Sequence, residues 1–245
     1  MSAFAVKILA TAAMLIDHTA AALGGELPMP LYTLCRTVGR IAMPLFCFLI
    51  AEGLFHTKNA RRYLLRLLLF SLVSEAPFDL FRTSFSRTPD ELVFFGGFVN
   101  LTYQNVGFTL TLGLLGILLF DVFAAQGRRG FALASILAAG AGAALLRADY
   151  GFFGVFFIFV FYFFRNQNRQ TAFALAVGVL MLAASQMLGG VLWREAATTL
   201  AAFAAFIPVW LYSGEKGRGG LRTLFYVFYP AHLLILAGVA TLVRP

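Results

Sequence analysis

The feature that most constrains this chain is the recurrence of long apolar stretches. They run at about 4–23, 36–55, 63–81, 107–125, 131–146, 151–164, 171–190, 197–212 and 223–243, with short polar punctuation between them. A helix that crosses a bilayer needs about 20 apolar residues and rarely fewer than about 17. A helix also satisfies its own backbone N–H and C=O groups, which hydrocarbon cannot do. Composition excludes the soluble alternative: 60% of the residues are hydrophobic and 12% charged, where a soluble domain is about 25% charged. No water-soluble fold of 245 residues with 28 Phe hides that much apolar surface, and the chain is too apolar for disorder. The expected fold is all-α: a polytopic membrane helix bundle of about nine transmembrane helices, forming a single integral-membrane domain over 1–245.

Three stretches, the fifth, sixth and eighth, are short. The fifth and sixth are parted only by Arg147-Ala148-Asp149-Tyr150, so one broken or re-entrant element is an open reading there. The first stretch has Lys7 ahead of its apolar run, as a signal peptide does. Asp17-His18 interrupts that run before any cleavage site, so an uncleaved first helix is expected. No internal repeat is visible, which weighs against an inverted-repeat transporter. Ala134, Ala138 and Gly142 recur at four-residue spacing and predict a close helix-packing face. The long connection at about 82–106, with Gly96-Gly97 and mixed charge, reads as a lid or docking loop. Cys35 and Cys47 lie too far apart along a helix to bridge.

The formal net charge of +8 does not imply nucleic acid in such a chain. It reads as positive-inside topology and contact with anionic headgroups, with membrane lipid as the partner. Alternate connections are short and basic, carrying Lys58, Arg61 and Arg62, then Arg128 and Arg129, then Arg165 and Arg169, then Lys216, Arg218 and Arg222. The other connections mix Glu26, Asp90, Glu91, Asp149 and Glu195 with Arg82, Arg87, Arg147 and Arg194. The basic set belongs on the cytoplasmic side. That places the N-terminus inside and, with nine helices, the C-terminus outside.

A charge at the centre of a membrane helix costs about 2.5–3.5 kcal/mol on insertion scales, so polar groups inside the stretches carry the information. They are Asp17 and His18 in the first, Arg36 and Arg40 entering the second, and Glu52 near its end. Glu75 and Asp79 close the third, Gln104 and Asn105 precede the fourth, and His232 lies in the last. Arg36/Arg40 and Glu75/Asp79 are each four apart, so each pair shares a helix face. Two readings of these pairs stay open: a buried ion-pair network between the second and third helices, or part of an extracytoplasmic cavity that also holds Gln104, Asn105 and the histidines. Pro77 between Glu75 and Asp79 predicts a kink. Asp17 and His18 point about 100° apart on a helix, so each needs a partner other than its neighbour. His232, after Tyr229-Pro230, is a packing or a functional histidine. Glu52 and His56, four apart, read as a helix-end pair.

Several motifs now line up in order. Ile16-Asp17-His18 is followed by Arg36-Thr-Val-Gly-Arg40-Ile-Ala-Met-Pro-Leu-Phe and by Ala51-Glu-Gly-Leu-Phe-His-Thr57. Tyr63-Leu-Leu-Arg-Leu, Ser74-Glu-Ala-Pro-Phe-Asp79, Gln104-Asn-Val106 and Phe225-Tyr-Val-Phe-Tyr-Pro-Ala-His-Leu233 complete the series. From end to end the chain resembles the TraX family of multi-helix membrane proteins. The resemblance implies an acetyl-CoA-dependent acyltransferase of the bacterial cytoplasmic membrane, since the family's namesake is associated with N-terminal acetylation of conjugative pilin. It also implies a distant likeness to the multi-helix membrane acyltransferases, in which an Arg precedes a first-helix His with ten residues between. Lys7 and His18 have that spacing here, with Lys in place of Arg.

What the resemblance implies for the site follows. The donor's phosphates meet a basic inner surface formed by Lys7, Lys58, Arg61, Arg62 and Arg66. His18 acts as general base, with Asp17, Glu75 and Asp79 tuning it. Arg36, Arg40, Gln104, Asn105 and His232 serve substrate and oxyanion, with Arg40 or Asn105 stabilising the latter. The acceptor is an amine or hydroxyl, on a pilin-like peptide or a cell-surface glycan, and no metal is expected. The competing class is a proton- or ion-coupled transporter using Asp17, His18, Glu75 and Asp79 as a relay. A metal site from His18, Glu75, Asp79 and His232 lacks local ligand spacing.

Overall fold

A computed structural model of the chain describes residues 1–85, 93–94, 99–100, 102–217 and 222–243. The fold is helical: α1 (Ala3–Leu23), α2 (Met29–Gly39), α3 (Ala42–Phe55), α4 (Ala60–Phe85), α5 (Val106–Ala125), α6 (Arg129–Leu145), α7 (Gly151–Phe163), α8 (Asn168–Leu188), α9 (Trp193–Thr199), α10 (Phe206–Trp210) and α11 (Arg222–Val243). A short antiparallel pair, β1 (Val93–Phe94) with β2 (Val99–Asn100), is added in register Val93↔Asn100 and Phe94↔Val99. Part of the connection expected to act as a lid, including Arg87, Asp90, Glu91 and Gly96-Gly97, lies outside the described residues, as does Arg218.

Among the described residues five segments are long and apolar enough to cross a membrane: Ala3–Glu26, Met29–Phe55, Val106–Ala125, Asn168–Leu188 and Leu224–Val243. The helices depart from the expected stretches for local reasons, and the third, fifth, sixth and eighth stretches supply none of the five. The expected second stretch is two helices, because Pro44 has no N–H and its ring collides with the carbonyl of Arg40, four residues back. The helix therefore stops at Gly39 and restarts at Ala42, placing Pro44 in the first turn, where its missing donor costs nothing. The expected third stretch is one helix of 26 residues, long enough to span but rich in charge. Pro77 sits inside it without ending it. The fifth and sixth stretches are separate helices of 17 and 13 residues, shorter than a spanning helix of about 20. The eighth is broken into α9, a 3-10 turn at Leu200–Ala205, and α10, with Pro208 in the first turn of α10. On α4, Leu65, Leu69 and Leu72 form an exposed apolar face, which suits hydrocarbon and not water.

The chain divides into two compact units. The first comprises Met1–Leu45, Val73–Thr102 and Val179–Pro245. Within it α1 packs on α2 and α11. Ser2 caps α1, its Oγ accepting the Ala5 N–H at 3.3 Å. The N-terminal residues are also tied to the segment after α10, with Ala3 N–H donating to the Glu215 carbonyl at 2.8 Å and Ser213 N–H to the Met1 carbonyl at 2.8 Å.

The second unit comprises Phe46–Leu72 and Tyr103–Gly178. Its core is α5, α6 and α7, which pack on one another at small residues. A Cβ on Gly140 would lie 2.5 Å from the Phe152 ring, and one on Gly116 would lie 3.0 Å from the Ala139 Cβ. The buried face of α6 is Ala132, Ser135, Ile136, Ala139, Gly140 and Ala143. The expected stripe is therefore corrected: Ala134 and Ala138 are exposed, one position out of phase with the face that packs. The α6–α7 turn is stabilised from outside itself, since Asp149 N–H donates to the Gln104 carbonyl at 2.9 Å and Thr109 Oγ1 to the Asp149 carbonyl at 2.7 Å. Tyr150 turns the chain with φ 61°.

Candidate active site

In the first unit the helices bring together residues that the sequence scatters, Asp17 with Arg36 and His18 with His232. Asp17 and His18 stand on α1, Arg36 and Arg40 at the end of α2, and His232 on α11, while Glu75 and Asp79 stand on α4. Asp17 accepts a hydrogen bond from Arg36 Nη1 at 2.7 Å, and the same nitrogen lies 3.5 Å from the Asp17 carbonyl. The pair is largely withdrawn from solvent, with 23% and 17% of the side chains exposed. Neutralising both charges in one pair is what makes each tolerable inside an apolar helix pair. Gly39 lets α2 reach Asp17: a Cβ there would fall on the Asp17 side chain, 2.5 Å from its Cγ.

His18 faces the other way. Its Nδ1 is 2.8 Å from His232 Nε2, and His232 Nδ1 is 2.9 Å from the Phe228 carbonyl one turn earlier on α11. The two imidazoles are parallel to within 2° with centroids 5.1 Å apart. That is close to the largest separation two rings joined at this N···N distance can have, so the bond lies in the ring planes. Phe81 and Tyr229 close on His18 at 5.4 and 6.4 Å between centroids, and Phe228 stacks on His232 at 4.9 Å. His18 Nε2 makes no hydrogen bond among the described residues. Aspartate and histidine on adjacent positions thus have separate partners, as their angular offset requires.

Glu75 is half-buried and Asp79 fully buried on α4. Asp79 Oδ2 accepts the Asn100 N–H at 2.8 Å, and Asn100 Oδ1 accepts the Thr102 N–H at 2.8 Å, so this carboxylate anchors β2 to α4. The Ser74 Oγ and the Asp17 Oδ1 are buried with no hydrogen-bond partner among the described residues. Lys7, on the first turns of α1, lies 5.0 Å over the Phe225 ring. No group of three His, Cys, Asp or Glu side chains comes together as a metal ligand set among the described residues.

Gln104 and Asn105 belong to the second unit. Asn105 is the N-cap of α5: its Oδ1 accepts the Gly107 N–H at 2.8 Å and its Nδ2 donates to the Ser71 carbonyl at 2.8 Å. Gln104 pairs its backbone with Arg147 and Asp149. The expected helix-end pair is present, with His56 Nε2 3.0 Å from Glu52 Oε1. Arg165, read from the sequence only as a topology charge, joins it through a two-point bond to Glu52 at 3.0 and 3.2 Å and covers the Phe55 ring at 3.8 Å. Phe55 stacks on Tyr162, whose hydroxyl donates to Asp121. Lys58, Arg61, Arg62 and Arg66 are exposed around the start of α4, where Asn59 Oδ1 caps the helix by accepting the Arg62 N–H at 2.8 Å.

Sequence reasoning missed the aromatic surround of His18 and the role of Phe228. The signal was there in part: Phe228 and His232 are four apart on one helix, which brings a side chain back to the preceding turn.

Residues 2–240 match the family described as TraX protein. The chain is also 33% identical over 241 residues to the "Probable fimbrial assembly protein FimC, serogroup H1" of Dichelobacter nodosus, covering 96% of this chain and 94% of that protein. No solved structure matches.

Proposed function

The chain belongs to the TraX family, and from that premise we propose that it is a membrane-embedded acyltransferase moving an acetyl group from cytoplasmic acetyl-CoA to an amine or hydroxyl at the extracytoplasmic side. The observation that carries the reading is His18: an imidazole inside a membrane-length helix, held at one ring nitrogen and without a hydrogen bond at the other among the described residues. A base needs an available lone pair and a fixed direction; the bond at Nδ1 supports the second, and the reading takes Nε2 as the first.

In the proposed step the neutral acceptor N–H or O–H meets His18 Nε2. As its nitrogen or oxygen bonds to the thioester carbonyl carbon, the proton passes to Nε2. The carbonyl oxygen takes up negative charge beside Arg40, and collapse breaks the C–S bond. The proton on Nε2 then passes to the departing thiolate, giving CoA-SH and the acylated product. Asp17 serves through Arg36, whose guanidinium it holds in place. Glu75 and Asp79 set the charge around the base. Asn105, committed to capping α5, has its amide directed at backbone.

The donor's phosphates are drawn to the cytoplasmic basic connections, where Lys58, Arg61, Arg62 and Arg66 are exposed, with Lys7 on the same side under the positive-inside orientation. The relative's name ties that protein to fimbrial assembly, and we take a pilin-like subunit as the first acceptor to try. Purified protein with labelled acetyl-CoA and a pilin N-terminal peptide tests the reading. Transfer is expected from the intact protein and not from His18→Ala, while His18→Ala still binds donor. Neutralising Arg61 and Arg62 together is expected to raise the donor Kd, with saturated turnover little changed. No acetyl-CoA binding by the intact protein overturns the proposal and favours an ion-coupled transporter.

A further inference from the structure

We infer that His232 is the positioning residue for the base: it locks His18 in the Nδ1–H tautomer and so makes Nε2 the basic nitrogen. The inference rests on the acyltransferase reading for its kinetic consequence, and on geometry alone for the tautomer. A backbone carbonyl can only accept, so the 2.9 Å approach of His232 Nδ1 to the Phe228 carbonyl requires a proton on that nitrogen. In the neutral ring the other nitrogen, Nε2, is then a lone pair. It lies 2.8 Å from His18 Nδ1, in plane, and the bond exists only if His18 Nδ1 carries the proton. Neutral His18 is left with its lone pair on Nε2, the nitrogen that makes no hydrogen bond among the described residues.

The direction of the chain of bonds, His18 to His232 to carbonyl, is thus dictated by its last acceptor. The logic is that by which a carboxylate or carbonyl on one ring nitrogen decides what the other can do. Free histidine has no such commitment. Phe228 contributes a second constraint, its ring stacked on His232 at 12°, and Phe81 and Tyr229 close on His18. Two stiff side chains and a helix backbone therefore aim one lone pair.

A reassignment follows. His232 was expected among the oxyanion and substrate groups, but both of its ring nitrogens are engaged, one donating to the carbonyl and one accepting from His18. It has no N–H left to offer an oxyanion. Its second service comes after proton transfer. When His18 Nε2 takes the acceptor's proton, the Nδ1–H bond to His232 becomes charge-assisted and stronger, and no atom has to move.

Nitrogen-15 NMR of the ring nitrogens reads the tautomer directly. The chain has three histidines, His18, His56 and His232, so His56→Gln and His232→Gln variants assign the spectrum. The expected result is protonated Nδ1 and bare Nε2 on His18, with coupling across the hydrogen bond to His232 Nε2. A resting protein with His18 protonated at Nε2 overturns the inference whether or not the protein turns over. In the kinetic arm, His232→Leu is expected to lower kcat about 100- to 10,000-fold, the usual worth of a positioned base, with acetyl-CoA KM unchanged. His232→Gln retains part of the rate, because Oε1 accepts the same N–H. Wild-type kcat in His232→Leu overturns the positioning role. If the intact protein transfers nothing while its spectrum shows the expected tautomer, the acyltransferase reading fails and the tautomer assignment stands.

Discussion

Gly39→Ala is expected to destabilise the protein even though helix propensity points the other way. Gly39 is the last residue of α2, in ordinary helical conformation, and alanine there would by itself favour the helix by up to about 1 kcal/mol. The added methyl, however, falls on Asp17: 2.5 Å from Cγ and nearer still to Cβ and Oδ1. Carbon atoms rest at about 3.5–4.0 Å, so the overlap is about 1 Å or more. Rotating Asp17 about χ1 moves Cγ and the oxygens but leaves Cβ where it is, so α2 has to part from α1. Overpacking of this kind costs about 1–3 kcal/mol. Parting the helices also stretches the 2.7 Å Arg36–Asp17 bond, and hydrogen bonds to charged groups are worth about 1.5–3 kcal/mol. Less the propensity gain, the expected loss is about 1.5–5 kcal/mol. Unfolding in mixed micelles titrated with SDS measures it. The same substitution in an Asp17→Gly background, where no Cβ stands in the way, is expected to cost nothing further. The non-additivity isolates the contact. A Gly39→Ala protein at or above wild-type stability refutes the argument.

Arg165→Ala is expected to cost more stability than Glu52→Gln, about 1–3 kcal/mol, because it removes the two-point partner of a carboxylate that is 5% exposed and leaves it to His56, whereas Arg165, 37% exposed, can reach solvent when its partner is neutral. Equal losses in thermal unfolding would contradict that asymmetry. Asn105→Ala removes both the cap of α5 and the link to Ser71, and is expected to lower the unfolding free energy by about 1–3 kcal/mol without changing donor affinity. A shift in acetyl-CoA Kd would contradict a purely structural role for Asn105. Single cysteines at Ser213 and Thr88, in a background lacking Cys35 and Cys47, are expected to label from opposite sides of the membrane, with Ser213 on the cytoplasmic side. Labelling of both from outside would overturn the orientation.

The sequence by itself determined the class of the fold, because apolar periodic runs of membrane length admit no other solution in water or lipid. It determined the ends of α1, α5, α6, α7, α8 and α11 to within a few residues. It also showed that Asp17 and His18 need different partners, since adjacent helical positions diverge. Local chemistry that went unread explains the broken segments: Pro44 divides α2 from α3, and Pro208 starts α10 anew. Only the tertiary structure decided who those partners are. His232 is 214 residues from His18, and no periodicity in a chain encodes a contact between its first and last helices. Arg36 pairs with Asp17 because Gly39, a missing side chain, lets one helix close on the other. Asp79 holds a strand, and Arg165 closes on Glu52, 113 residues away. In an apolar chain each charge has to find a counter-charge or a donor, and which one it finds is set by the packing of small residues between helices.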